Sequence, residues 1–328
     1  TSLSKCYPGS IERFSEDIDL TFLGMDLSDN VCDKNIKRIE KRHGVRITSH
    51  GSQIKVRGAQ ADVVAACRTI GGLITMINKG EQITDQNIEY VASLVDEGDD
   101  GKISEITDAD CICITSKGKP VKPKTLGQKK YIETIRNNTI TFGIGPAGTG
   151  KTYLAVAMAV NALREKQVSR IILTRPAVEA SERLGFLPGD LKDKLDPYLQ
   201  PLYDALGDMI PSKKLQEFMN EGTIQIAPLA YMRGRTLDRA CVILDEAQNT
   251  NLGQLKMFLT RMGCDAKFIV TGDASQIDLP NKRDSGLLKG IELTKGIKGI
   301  KTITFRNEDI VRHPLVTKIV KAFDVAAD

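Results

Sequence analysis

The 328-residue sequence has no tryptophan and only three histidines, His43, His50 and His313. Three scattered imidazoles give a zinc site little to be built from. Its seven cysteines, Cys6, Cys32, Cys67, Cys111, Cys113, Cys241 and Cys264, are odd in number and show no C-x-x-C spacing, which argues against a disulfide framework and predicts reduced thiols. Cys111 and Cys113 alternate with Ile112 and Ile114, a spacing expected to put both thiols on one face of a strand as packing groups. No apolar run approaches the ~20 residues of a membrane-spanning helix, so no membrane partner is expected. The opening TSLSKCYPGS lacks a basic stretch leading into an apolar core, and the expected location is cytoplasmic. No internal repeat is visible.

What is present reads as an ordinary globular chain, 41% hydrophobic and 27% charged, of a length that favours two domains. A net charge of +4 permits a polyanionic partner without requiring one. Residues 1–97 are expected to form a small α+β domain: strand 19–23, helix 30–43, a hairpin over 45–56 turning at Gly51-Ser52, and helices 59–79 and 81–97. The acidic, glycine-containing run from Asp96 to Gly101 opens a basic linker region, 98–125. From 126 to 328 short Val- and Ile-rich segments alternate with helical ones, as in an α/β fold with a parallel sheet flanked by helices. The expected strands are 140–144, 170–174, 224–227, 241–244, 267–271 and 300–305.

The strongest signal is Gly145-Pro146-Ala147-Gly148-Thr149-Gly150-Lys151-Thr152, a full G-x-x-x-x-G-K-[ST] motif between the apolar TITFGI and the helical YLAVAMAVNAL. Its glycines let successive N–H groups wrap phosphates, Lys151 neutralises β and γ oxygens, Thr152 can ligate Mg²⁺, and the helix N-terminus carried by Lys151, Thr152 and Tyr153 adds its dipole. Val242-Ile243-Leu244-Asp245-Glu246 then supplies two carboxylates at a strand end. Asp245 is expected in the Mg²⁺ shell, while Glu246 is placed either to activate the attacking water or, more blandly, as a loop acid. In Thr271-Gly272-Asp273-Ala274-Ser275-Gln276, Gln276 is either a γ-phosphate sensor supported by Asp273 or part of a polar turn.

At these residues the sequence resembles the PhoH-like family of P-loop ATPases, whose core is similar to the first motor domain of superfamily-one helicases. The likeness spans about 126–320: GPAGTGKT, LDEAQN (244–249), TGDASQIDLP (271–280), TRPAVEASERLGFLPGD (174–190), MRGRTLDRA (232–240) and DIVRHPLV (309–316). It implies ATP and Mg²⁺ as ligands, with Gln128 in LGQKKYIETI reading the adenine, although a solvated helix-start residue is the other reading of that glutamine. Only a short helical tail follows Phe305, so no second motor domain is expected in cis. Arg312, with Arg306 second, is then the candidate for a finger acting in trans, against the alternative of local pairing. A head-to-tail finger implies a homo-oligomeric ring, expected to be a hexamer.

Helix 30–43 carries Lys34, Lys37, Arg38, Lys41 and Arg42 on one face opposite Ile36 and Ile39. With the strand-helix-hairpin-helix order it resembles a KH-type RNA-binding domain, though the preceding Gly24-Met25-Asp26-Leu27 lacks the glycine pair of a GxxG clamp. Lys117, Lys119, Lys122, Lys124, Lys129 and Lys130 form a second basic stretch. Both could contact phosphates or simply be solvated. The segments 175–190 and 231–235, at carboxyl ends of strands, are the expected places for single-stranded RNA. Two functions stay open: an ATPase that couples hydrolysis to RNA binding or remodelling, helicase-like, and an RNA-binding regulatory module that uses ATP as a switch with little turnover. A small-molecule kinase is disfavoured by the Asp-Glu pair.

Overall fold

The computed structural model describes residues 17–21, 33–50, 53–81, 83–107, 110–176 and 191–311. The chain divides into two compact units, Thr1–Ala109 with Arg312–Asp328, and Asp110–Val311.

In the first unit, β1 (Asp17–Thr21), β2 (Arg46–His50) and β3 (Gln53–Arg57) form an antiparallel sheet with β3 central. The expected first strand therefore begins two residues earlier than its apolar residues suggested, and the hairpin turn at Gly51-Ser52 lies outside the described residues. Alternation buries Ile47, Ile54 and Val56 beneath α1 (Asp33–His43) and α2 (Gln60–Asn78). Helix α2 has the length and composition to cross a bilayer, but half of its apolar window is buried, with Val63, Ala66, Ile70, Leu73 and Met76 in the core. α3 (Asp85–Glu97) starts at a Thr84–Asn87 capping box and stops at Gly98 in the left-handed region, φ 77°. It also answers the charge of α1. Three of the five basic residues expected on an open face are paired: Lys34 with Asp85 at 3.9 Å, Arg38 with Asp85 and with Glu89 at 3.3 Å, Arg42 with Glu89 at 3.5 Å and with Asp96. Lys37 and Lys41 stay exposed.

The segment expected as a linker is shared between the units. α4 (Ile103–Thr107) belongs to the first. The two-residue strands β4 (Cys113–Ile114) and β5 (Pro120–Val121) belong to the second, where Ile112, Cys113 and Val121 join the core. The two neighbouring thiols do not share a face: Cys113 is buried and Cys111 exposed, its Sγ donating to the Cys113 carbonyl at 3.1 Å. The regular strand begins only at Cys113, so period-two alternation does not extend back to Cys111.

The second unit is a six-stranded parallel sheet in the order β11-β6-β10-β9-β7-β8: β6 (Ile140–Ile144), β7 (Arg170–Arg175), β8 (Ile224–Pro228), β9 (Ala240–Leu244), β10 (Lys267–Gly272) and β11 (Ile300–Thr304). Every expected strand is present to within about a residue. The four central strands are buried on both faces, which is why they read as unbroken apolar runs. Ile171, Leu173, Cys241, Ile243 and Ile269 face one layer, containing α5 (Leu126–Asn137), α6 (Lys151–Arg164) and α7 (Leu191–Met209). Ile172, Val242, Leu244, Phe268 and Val270 face the other, containing α9 (Leu252–Leu259) and α10 (Leu287–Thr294); α8 (Ser212–Asn220) precedes β8. Gly143 in β6 admits the Tyr131 ring, which would lie 2.6 Å from any Cβ there. This order inserts β10 between the strand that leads into the glycine loop and the strand that ends in Asp245, and ligands in such sheets bind beyond the carboxyl ends.

Candidate nucleotide site

The glycine loop leaves β6 and enters α6. Gly145, at φ 152°, lies so close to Phe305 that a Cβ would come within 2.7 Å of it, and Gly150 caps α6 at φ 81°. The first intrahelical bond is from Leu154 N–H to Gly150 at 2.9 Å, which leaves the N–H groups of Lys151, Thr152 and Tyr153 as the donors typical of a helix start. The Tyr153 side chain packs against the hydrophobic core, so what it can offer an anion is its backbone. Lys151 is folded over the loop, its Nζ donating to the carbonyls of Gly145 at 2.7 Å and Pro146 at 2.8 Å.

Asp245 is 4% exposed, and its Oδ1 accepts from the hydroxyls of Thr152 at 2.6 Å and Thr271 at 2.7 Å. The second interaction was not anticipated, because it depends on β10 lying beside β9. Two residues further along that edge, Asp273 keeps Oδ1 on Ser275 but leaves Oδ2 buried without a hydrogen-bond partner among the described residues. A hydroxyl and two carboxylates, one carrying an orphaned oxygen, are hard ligands of the kind Mg²⁺ takes when phosphate and water complete its shell. No larger His, Cys, Asp and Glu cluster occurs among the described residues, and a phosphate-bound Mg²⁺ does not need one.

Glu246 leaves the strand in the left-handed region, φ 53° and ψ 42°, a conformation costing a residue with a Cβ about 1–3 kcal/mol. Its carboxyl is pushed up by burial and by the charge of Asp245, against the lowering effects of Gln248, Arg175 and Lys151. Oε1 lies 3.2 Å from the Arg175 guanidinium, and Oε2 accepts from Gln248. Gln248 is 1% exposed and also accepts from the Asp273 N–H at 3.0 Å. It therefore joins the two acidic loops, a role for which its place in LDEAQN gave no spacing signal. Gln276, the expected sensor, is exposed with its N–H on the Asp273 carbonyl at 3.1 Å.

Gln128 is buried, not solvated. Its amide oxygen accepts from Lys124 N–H at 2.7 Å and its nitrogen donates to the Thr149 carbonyl at 3.0 Å, which ties the start of α5 to the glycine loop. Asp309, whose partners Thr125 and Gly127 are remote in sequence, accepts from Thr125 Oγ1 at 2.6 Å, Gly127 N–H at 3.1 Å and Arg306 N–H at 3.0 Å. Val311 N–H reaches the Gly148 carbonyl at 2.9 Å. Arg312 and the segment 177–190 lie outside the described residues.

A glycine loop between strand and helix, a buried aspartate on the loop threonine and an adjacent glutamate define a P-loop NTPase. The PhoH-like protein family model matches residues 120–324, and a PhoH-like protein of Bacillus subtilis is 50% identical over 89% of this chain and 91% of its own length. Protein PhoH of Escherichia coli K12 is 38% identical, over 83% of this chain and 75% of its own. The chain belongs to the PhoH-like family. A second model, described as nucleotidyl transferase AbiEii toxin, type IV TA system, matches residues 1–89. Among solved structures, the Pif1 helicase of Candida albicans overlaps 60% of this chain and 42% of its own at 14% identity with a TM-score of 0.32, a likeness too slight to argue from.

Proposed function

We propose that this chain binds ATP with Mg²⁺, hydrolyses it, and couples the turnover to binding or remodelling single-stranded RNA. The observation that carries the reading is the unequal setting of two adjacent acids: Asp245 is held by two threonine hydroxyls, whereas Glu246 is turned out of the strand beside it. Thr152 and Asp245, with Asp273 near them in the chain's acidic edge, would hold Mg²⁺, which when bound offsets charge on the phosphate oxygens. Lys151 exchanges the carbonyls of Gly145 and Pro146 for β and γ oxygens. Gln128 is the adenine reader, since each end of its amide retains a second hydrogen-bonding position. Glu246 takes a proton from the attacking water as the new bond to the γ phosphorus forms and the bond to the ADP oxygen breaks. Gln276 senses the γ-phosphate from the loop fixed by Asp273, and Arg312 completes the site from a neighbouring subunit of a hexamer.

For RNA, support comes from the carboxyl edge of β8, where Tyr231 is 58% exposed and Arg233 is exposed beside it, an aromatic face next to a cation. Lys117, Lys119, Lys124 and Lys130 are exposed and make no ion pair among the described residues, in contrast to the paired arginines of α1. The test is steady-state ATP hydrolysis with and without single-stranded RNA, with Glu246→Gln as the blank. Turnover above the blank that RNA stimulates is the expected result. RNA binding with turnover at the blank level sinks the reading in favour of an ATP-dependent switch.

A further inference from the structure

We propose that Arg175 is a positioning residue for Glu246, fixing the carboxylate that takes the water proton; the inference rests on Glu246 being the base. Strand register brings the pair together. Thr174 lies opposite Leu244 and its carbonyl accepts the Asp245 N–H at 2.9 Å, so Arg175 and Glu246 leave the sheet side by side. The guanidinium is anchored before it reaches the acid: one terminal nitrogen donates to the Tyr198 carbonyl of α7 at 2.8 Å, and the other lies 3.2 Å from Glu246 Oε1. Gln248 holds Oε2, and is itself fixed by the Asp273 N–H. Each carboxylate oxygen thus carries one protein donor and keeps further lone-pair capacity for a water.

Two features separate this clamp from an ordinary surface ion pair. Both partners are largely covered, the side chains being 22% and 34% exposed. Glu246 also holds a left-handed backbone, and such strain persists where the surroundings over-determine the residue. A displacement of about 1 Å in a reacting group can cost on the order of 100-fold in rate, so an unclamped carboxylate should still allow nucleotide to bind while hydrolysing it poorly.

The experiment compares the full chain with Arg175→Met, which keeps an apolar stem, Arg175→Lys, which returns a cation, and Glu246→Gln. Arg175→Met is expected to lower kcat roughly 10- to 100-fold with the Kd for ATP within about twofold of wild type, and Arg175→Lys to recover part of that loss. A kcat for Arg175→Met that is unchanged or raised, a Kd that weakens in proportion to the lost kcat, or a Lys variant no better than Met overturns the proposal. If Arg175→Met binds no nucleotide because it is unfolded, Arg175→Gln is read by the same criteria. Wild type no faster than Glu246→Gln removes the base assignment and the Arg175 role together; wild type faster than Glu246→Gln but equal to Arg175→Met removes the Arg175 role alone.

Discussion

In the proposed reaction Lys151 and Glu246 serve different steps of one site, and substitution should separate them. Lys151→Ala removes the cation that would sit on the phosphates, and ATP binding is expected to weaken by at least about 100-fold. Glu246→Gln keeps the size of the side chain but removes the proposed base and turns one of the two oxygens that accept from Arg175 and Gln248 into an NH₂ group, so binding should remain while turnover falls about 10²- to 10⁴-fold. Equilibrium binding of a fluorescent ATP analogue and phosphate release measure the two effects independently; hydrolysis by Glu246→Gln at the wild-type rate would show the base assignment to be wrong. These residues were legible because a P-loop and an Asp-Glu pair at a strand end are local patterns. Gln248, Thr271 and Arg175 were not, since each acquires its partner from strands distant in sequence. Only the order β10-β9-β7 makes them neighbours.

At the level of elements, the same contrast separates helix and strand positions from the contacts between them. Short Val- and Ile-rich runs between helical stretches located all six strands of the larger sheet, because central strands buried on both faces are continuous apolar runs. The lateral order of those strands leaves no such trace. Nor did the spacing of Lys34, Arg38 and Arg42 reveal that α3 would supply the opposing acids. Asp309 shows how much one side chain can link: without its carboxylate the Thr125 hydroxyl and the Gly127 and Arg306 N–H groups lose their acceptor. Asp309→Ala should lower stability by about 1–3 kcal/mol and, by loosening the cap beneath Gln128, weaken ATP binding; chemical denaturation and the binding assay check both. In the smaller unit His43 is buried, its Nε2 3.0 Å from Thr69 Oγ1. Burial and Arg42 lower its pKa below 6.5, opposed by Asp96, Asp62 and Glu89. The unfolded chain therefore takes up a proton below about pH 6.5 that the folded unit resists, and stability present above that pH is lost as the pH falls toward the folded pKa. Amide protection in α2, corrected for intrinsic exchange, should decline from pH 7.5 to 5.5, and His43→Gln should flatten the decline.

For the whole molecule, the division into Thr1–Ala109 with Arg312–Asp328 and Asp110–Val311 runs through the expected linker 98–125 and cuts the expected domain 126–328 short at Val311; the first of these has no mark in the sequence, because a hairpin with two-residue strands has too little periodicity to read. Phosphoryl-transfer sites are completed by an arginine supplied either in cis or by a neighbour, and the chain just before Arg312 reaches its own glycine loop, with Val311 N–H on the Gly148 carbonyl. A finger in trans and one in cis therefore differ in what mixed oligomers do. Arg312→Ala and Lys151→Ala should each be inactive alone. Mixed in equal amounts within a closed head-to-tail ring, half of the sites keep Lys151 and half of their neighbours keep Arg312, so about a quarter of the interfaces combine both intact parts. Recovery of roughly a quarter of wild-type hydrolysis per site, in oligomers confirmed to contain both variants, is the expected result. No recovery would assign the arginine to its own subunit, because under that arrangement every site in the mixture lacks one of the two groups whatever its neighbour carries.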